Sequence, residues 1–213
     1  MPKLATGSMR IGEIIIFVGK LQLLWFAILF RYLVIGGIFP ATAAVIDFLS
    51  QSFKDSSDGD GSSNGKKKLL TYRNFQTSAK ENFKRANQVG YIALAVLAFL
   101  YVDLRLAIVF TKNVYVTVCL AALLVIIAAS FLYLIPAIVR YELSLKDSFR
   151  QAFFLLLANI PNTIAMLIGM ALAGVAGFFI PVLVLLPVPL FLLANAWFSY
   201  QGMRKLERAN EKS

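Results

Sequence analysis

Long apolar segments separated by short polar ones form the dominant pattern of this chain. The apolar segments cover residues 11–30, 33–49, 89–110, 114–139 and 152–200. A helix needs about 20 residues to cross the hydrocarbon core of a bilayer, so the last segment is long enough for two crossings. The pattern predicts an all-α, polytopic membrane helix bundle of about six transmembrane helices, at residues 12–30, 34–50, 89–109, 114–138, 152–174 and 178–200.

The segment from residue 11 to residue 49 is the hardest to divide, because it is too long for one span. We expect two helices, with Arg31 and Tyr32 between them at the far interface of the membrane. An alternative lays residues 5–19 on the membrane surface and begins the span at Lys20. Otherwise that lysine would lie about two turns deep, where it must snorkel or find a partner.

The connection between these two helices is predicted to be a structural turn at Gly36 and Gly37, followed by a helix start at Pro40. Proline suits the first turn of a helix because its missing N–H would have no partner there in any case. Thr42 can donate a hydrogen bond back to a backbone carbonyl, and the alanines that surround it permit close helix packing. Gly36, Gly37, Pro40 and Thr42 are therefore candidate structural residues.

Residues 51–88 are polar and fall into two halves. The first half contains DSSDGDGSSNGKKK, a Gly/Ser/Asp composition that predicts an unstructured linker. The second half places Tyr72, Phe75, Ala79 and Phe83 on one helical face, which predicts a cytoplasmic interfacial amphipathic helix. The cations around that face are candidate contacts for lipid or a protein partner, namely Arg73, Lys80, Lys84 and Arg85.

The rest of the chain is predicted to form two hairpins. Helices at 89–109 and 114–138 are joined by four residues, and helices at 152–174 and 178–200 by a turn around Gly174 to Gly177. Such short connections make the joined helices antiparallel neighbours. Between the hairpins, Ser144 and Asp147 have the spacing of a helix-capping pair.

Two local patterns stand out in the second hairpin. Small residues recur every four positions, which predicts a face for close helix packing at Ala165, Gly169, Ala173 and Gly177. Asn159, Pro161 and Asn162 form a polar cluster in which proline removes a helix hydrogen bond, and this predicts a kink.

Positive charge is concentrated in the polar segments. Of the 21 Lys and Arg residues, 17 lie at residues 1–10, 51–88, 139–151 and 201–213. Six crossings put all four segments on one side, which the positive-inside rule makes cytoplasmic. Five crossings would put the basic cluster of 51–88 outside. The N- and C-termini are therefore predicted to be cytoplasmic.

Composition narrows the possible chemistry. The chain is 59% hydrophobic, has a net charge of +10, contains no histidine and has Cys119 as its single cysteine. The commonest general base and metal ligand are thus missing. We expect no catalytic residue, no cofactor, no metal site and no enzymatic activity. The cations form no nucleic-acid motif and lie beside spans, so their expected partner is the anionic lipid headgroup, at about 1 kcal/mol per basic residue.

A resemblance to a known family begins at Gly37-Ile38-Phe39-Pro40-Ala41-Thr42-Ala43-Ala44-Val45. This element resembles the YesL-like family of bacterial integral membrane proteins. Further segments that look similar follow the family order, namely Leu24-Trp25, Lys80-Glu81-Asn82-Phe83-Lys84, Tyr133-Leu134-Ile135-Pro136, Arg140-Tyr141 and residues 152–163. The resemblance implies a bacterial cytoplasmic membrane location, no catalytic residues, and an association of some members with carbohydrate ABC importers.

The expected function is therefore that of a non-enzymatic accessory or assembly partner of a carbohydrate ABC transport system, with ABC transporter subunits as protein partners. A small solute carrier or channel is the alternative, because helix breaks near Pro136, Asn159 and Pro181 are features that such proteins use. Nothing in the sequence fixes the solute, the partner or the oligomeric state.

Overall fold

The computed structural model describes residues 2–57, 69–111, 113–141, 143–179 and 187–210. These residues form helices and turns, with no β-strand among them. The helices are α1 (Pro2–Arg31), α2 (Ile38–Ser57), α3 (Tyr72–Glu81), α4 (Phe83–Leu106, extended by a π-helical turn, Ala107–Thr111), α5 (Val114–Phe131), α6 (Leu134–Arg140), α7 (Leu145–Ala158), α8 (Ile160–Phe179) and α9 (Pro187–Asn210). The predicted linker, DSSDGDGSSNGKKK at residues 55–68, lies mostly outside the described residues.

Helix α2 lies at the centre of the bundle and contacts α1, α3, α4, α6 and α9. Between Pro40 and Leu49, every residue except Thr42 and Asp47 is buried. Ala41, Ala43 and Ala44 are completely inaccessible to solvent, so neighbouring helices approach the α2 backbone from several sides. A helix that is apolar all round is the expected form for one enclosed by others.

The start of α2 has the local structure expected from its sequence. Pro40 lies in the first turn, and the Thr42 hydroxyl donates a 2.7 Å hydrogen bond to the Ile38 carbonyl. Gly37 is required by close packing, because a Cβ atom added there would lie 2.8 Å from the Leu29 backbone. The preceding turn places Leu33 and Val34 in the left-handed region, with φ of 56° and 57°.

The turn between α1 and α2 lies beside the beginning of α4. The Tyr32 ring is 4.8 Å from the ring of Phe83, the first residue of α4. Asn87 Nδ2 donates a 3.1 Å hydrogen bond to the Gly36 carbonyl, and the Tyr91 hydroxyl donates to the Ile35 carbonyl.

The predicted position of Arg31 and Tyr32 at the far interface is therefore wrong. In the six-span interpretation, Arg31 and Tyr32 lie at the same membrane interface as residue 112. Residue 112 follows the C-terminal end of α4, whereas Phe83 begins that helix. The contact with Phe83 instead puts the turn about 28 residues of helix, or roughly 40 Å, from Thr111. Sequence periodicity misplaced this turn because a helix buried in protein and a helix buried in lipid have the same apolar composition.

The hairpin of α4 and α5 exposes many large apolar side chains. Phe83–Thr111 and Val114–Arg140 are each long and apolar enough to cross a membrane, and they contain two of the predicted spans, 89–109 and 114–138. In their most apolar stretches, 11% and 22% of the residues are buried. Cys119 is exposed on α5. The described part of the chain thus has the apolar exterior of a helical membrane protein.

The predicted kink at Asn159 is a sharp break. Helix α7 ends at Ala158, α8 begins at Ile160, and the two axes meet at 95°. The segment predicted as one span at 152–174 is therefore divided between two helices. Together they form one bent pair that is apolar enough to cross a membrane, so the described residues contain two candidate spans, or three if this pair is one span.

The turn predicted around Gly174 to Gly177 is not formed there, because α8 continues to Phe179. The last helix begins at Pro187 rather than at 178. Pro181 and the connection itself lie outside the described residues. The prediction failed here because glycine within an apolar run is common in membrane helices and does not by itself end one.

Helix α3 is amphipathic, as predicted, and its apolar face packs against α2. Phe75 and Ala79 are completely buried, and the Phe75 ring lies 5.8 Å from that of Phe48. Ser78 donates a 2.6 Å hydrogen bond to Asp47. The apolar face of α3 is thus covered by protein, and its polar face is the one that remains exposed.

Close packing of α2 on α4 predicts a specific sensitivity at Gly90. A Cβ atom added there would lie 2.3 Å from the Phe39 ring. We expect Gly90→Ala to lower the free energy of unfolding by about 1–3 kcal/mol, because the ring must move out of a packed core. Gly174→Ala is the matched control, since an added Cβ meets nothing within 4 Å there. Equal thermal midpoints for the two variants in detergent would contradict this packing.

Candidate functional site

A pocket of about 310 Å³ lies between α2, α6 and α9. It opens at the end of the bundle where α6 ends and α7 begins, which we call the polar end. Its walls combine charged, hydroxyl, amide and apolar groups, contributed by Asp47, Ser50, Gln51, Lys54, Pro136, Val139, Arg140, Tyr141, Ser199, Tyr200, Met203 and Glu207.

An ion pair closes one side of this pocket. Arg140 donates two hydrogen bonds to Glu207, from Nε to Oε1 at 2.8 Å and from Nη2 to Oε2 at 2.6 Å. The Tyr141 hydroxyl donates to the same Oε1 at 2.6 Å. The Arg140 guanidinium also lies over the Tyr200 ring, 5.0 Å from its centroid. This two-pronged geometry fixes the end of α6 against the C-terminal part of α9.

The electrostatics follow from these contacts. Hydrogen bonding from Arg140 holds the pKa of the Glu207 carboxyl below its ordinary value, and hydrogen bonding from Tyr141 and the charge of Lys54 act in the same direction. Burial, together with the hydrogen bond to Glu207, raises the pKa of Tyr141 to about 12. At neutral pH Glu207 is therefore ionised and Tyr141 is a neutral donor.

The opposite wall comes from α2. Asp47 accepts hydrogen bonds of 2.6 Å from the Gln51 amide and from the Ser78 hydroxyl. Gln51 and Lys54 follow Asp47 by four and seven positions, so they share its face of α2. Asp47 thus joins the pocket to α3 as well as forming part of its wall.

Polar side chains continue from the pocket into the bundle. Tyr133, about two turns before Arg140, shares a 2.8 Å hydrogen bond with Thr163 of α8. Asn195 lies on the same face of α9 as Ser199, and its Nδ2 donates a 3.0 Å hydrogen bond to the Leu132 carbonyl. The break between α5 and α6 is therefore held by side chains of α8 and α9.

Unsatisfied amide groups lie along the same route. Asn159 is 3% exposed, and its Nδ2 has no hydrogen-bond partner among the described residues. The amide is packed against α9 at Gly202, where an added Cβ would lie 3.3 Å from that nitrogen. Asn195 Oδ1 is likewise buried without a partner. Unpaired buried amides are unusual, and each has capacity for one more polar contact.

The residues singled out from the sequence occupy three separate places. Gly36, Gly37, Pro40 and Thr42 shape the junction of α1 and α2. Gly169 faces α9, because a Cβ atom added at Gly169 would lie 3.1 Å from the Cβ of Ala194. Ala165 and Ala173 are half-buried nearby on α8. The surroundings of Gly177 lie outside the described residues. The four cations predicted to contact lipid or a partner are all exposed, on α3 and at the start of α4, namely Arg73, Lys80, Lys84 and Arg85.

Two of these cations, Lys84 and Arg85, line a groove of about 460 Å³ between the first turn of α4 and the start of α7. Ser144 caps α7 there, as predicted, and accepts from the Asp147 amide at 3.3 Å. The pocket residues Gln51, Lys54 and Glu207 were not identified from the sequence. Arg140 and Glu207 are 67 positions apart, so no local spacing connects them.

The fold and the exposed apolar hairpin define a helical membrane protein, and comparisons with known proteins give its relatives. Residues 18–104 match the family described as "Protein of unknown function, DUF624". The chain is 24% identical over 193 residues to "Uncharacterized protein YesL" of Bacillus subtilis (strain 168), a match that covers 90% of this chain and 87% of that protein. No solved structure matches it. The chain is thus similar to YesL over most of its length, which supports the resemblance to YesL-like proteins.

The ion pair predicts a defined pH dependence. Because the Glu207 pKa is lowered in the folded protein, its stabilising contribution is present above the ordinary glutamate pKa of about 4.3 and is lost as the pH falls below that value. We expect Glu207→Gln to reduce stability at pH 7 by about 1 kcal/mol or less, since solvent screens this half-exposed pair.

Thermal unfolding in detergent from pH 7 to pH 3 checks this prediction. The parent should lose more stability over the acidic part of this range than Glu207→Gln does. Glu81→Gln, at an exposed position on α3, should follow the parent. A Glu207→Gln profile parallel to that of the parent would show that the ion pair contributes nothing.

Proposed function

We propose that this protein is a non-enzymatic, multi-pass protein of the bacterial cytoplasmic membrane that serves as an accessory of a transport system. The observation that carries the proposal is a basic surface held on a rigid support. We call this set of exposed cations, Arg73, Lys80, Lys84 and Arg85, the basic surface. The YesL-like resemblance supports a carbohydrate ABC importer as the system concerned.

The topology we propose has four crossings instead of six, made by the α4–α5 hairpin and by α8 and α9. The α1–α2 turn lies at the level of Phe83, so this helical hairpin stays on the polar side of the membrane or enters it without crossing. Both termini remain cytoplasmic. The positive-inside rule supports this arrangement, because Arg31 joins the 17 cations already on that side.

Cysteine labelling in intact cells distinguishes four crossings from six. In a Cys119→Ala background, an impermeant thiol reagent should label Thr111→Cys, at the tip of the α4–α5 hairpin. It should not label Leu33→Cys, although Leu33 is 85% exposed on the protein surface. Gly61→Cys, in the cytoplasmic linker, should react only after permeabilisation. Labelling of Leu33→Cys in intact cells would restore the six-crossing arrangement.

Packing of α3 on α2 decides what the basic surface can do. An interfacial anchor helix inserts its apolar face into lipid, but the α3 residues Phe75 and Ala79 are buried against α2. The four cations thus stand on a surface fixed by protein contacts, and none of them forms an ion pair within the described part of the chain. Such a surface suits docking to an acidic protein partner, with anionic headgroups beside it.

Charge reversal tests the docking role. We expect Lys80→Glu, Lys84→Glu and Arg85→Glu together to weaken co-purification of ABC importer subunits by about tenfold or more, because each rim charge contributes up to about 1 kcal/mol. Membrane insertion should be unchanged. The control reverses two exposed lysines away from this surface, Lys20 and Lys205. Equal loss in both variants, or loss in neither, would contradict docking through the basic surface.

A small solute carrier is the second candidate, and one feature favours it. Helix breaks at Leu132–Tyr133 and Asn159 lie beside each other, joined by the Tyr133–Thr163 hydrogen bond, and polar groups lead from the pocket towards them. Discontinuous helices with free amides are a common basis for solute sites in transporters. Solute flux by the purified protein in proteoliposomes, without any partner, would favour the carrier over the accessory.

A further inference from the structure

We propose that the pocket between α2, α6 and α9 binds a small, neutral molecule rich in hydroxyl groups, such as a monosaccharide or a sugar alcohol. The pocket shares no residue with the basic surface, so its ligand and the docking role can fail independently. The proposal also does not depend on whether the ligand is carried across the membrane or only sensed.

Charge balance in the walls excludes strong selection for an ion. The pocket contains two carboxylates, Asp47 and Glu207, and two cations, Lys54 and Arg140. Arg140 and Glu207 satisfy each other through two hydrogen bonds, and the Lys54 charge acts on Glu207. A charged ligand would have to compete with these internal partners and would bring an unbalanced charge into a half-buried site.

Hydroxyl groups match the polar groups of the walls. Asp47 lies on this face of α2 and accepts hydrogen bonds from Gln51 and Ser78. The Ser50 hydroxyl can both donate and accept, and the carbonyl oxygen of Gln51 can accept. A ligand hydroxyl both donates and accepts, so one group can bond to a carboxylate while accepting from a serine or a cation.

Size and the apolar part of the lining narrow the class further. A volume of about 310 Å³ lies at the lower end of the range of about 300–1,000 Å³ for small-molecule pockets, which suits one ring-sized ligand and not a polymer. Pro136, Val139 and Met203 supply apolar contact. A sugar ring has the matching distribution, with hydroxyls at its edge and C–H groups on its faces.

Binding of such a ligand should tighten the polar end of the bundle, because the pocket is shared by three helices that are far apart in the sequence. The α2 wall is connected to α3 by the Asp47–Ser78 hydrogen bond. The α6 and α9 walls are joined by the Arg140–Glu207 ion pair. A ligand that binds only the folded state raises its stability with concentration and then saturates.

Thermal unfolding of the purified full-length protein in mild detergent tests the proposal. The probes are glucose, xylose and mannitol as neutral ligands, with glucose 6-phosphate and glucosamine as charged analogues. At least one neutral probe should raise the midpoint in a saturable way at millimolar concentration, and its charged analogue should give a smaller shift. Ser50→Leu, which places a larger apolar group in the pocket, should abolish the saturable shift.

The control is Ser52→Leu, on the same helix but away from the pocket lining, which should keep the ligand response. Sugars also stabilise proteins without binding, by exclusion from the surface, and that effect grows steadily up to molar concentration. A steady rise of equal size in the parent and in Ser50→Leu, or no shift with any neutral probe, would overturn the proposal. A larger saturable response to a charged analogue would overturn the assignment of a neutral ligand.

Discussion

Close packing around α2 is the constraint on which the rest of the structure depends. The Pro-Ala-Thr-Ala-Ala element starts this helix and keeps its side chains small, so α1, α4, α6 and α9 can all approach its backbone. Phe39 fills the space left by Gly90 on α4, and Gly37 admits the Leu29 backbone. Larger residues at these positions would separate helices that share one core.

The polar pocket and the basic surface both follow from the position of α2. Its C-terminal half carries Asp47, which is bonded to α3 on one side and faces the ends of α6 and α9 on the other. Because α3 packs on α2 through its apolar face, the apolar residues of α3 face inward and its cations face outward. The same helix therefore lines the pocket and supports the basic surface, and Asp47 lies between the two.

Local features could be predicted from the sequence because their causes are local. The amphipathic face of α3, the Ser144 cap and the break at Asn159 each arise from residues within a few positions of one another. The course of α1 and α2 could not be predicted, because an apolar helix enclosed by protein has the same composition as one enclosed by lipid. The Arg140–Glu207 pair was equally hidden, since only the tertiary fold brings α6 and α9 together.

The α1–α2 turn lies beside the start of α4, far from the tip of the α4–α5 hairpin. A distance between spin labels at Leu33→Cys and Thr111→Cys, measured by pulsed electron paramagnetic resonance in a Cys119→Ala background, tests this placement. We expect a separation of about 40 Å, from 28 residues of helix at about 1.5 Å each. A separation of about 20 Å, two helix spacings within one membrane face, would contradict it.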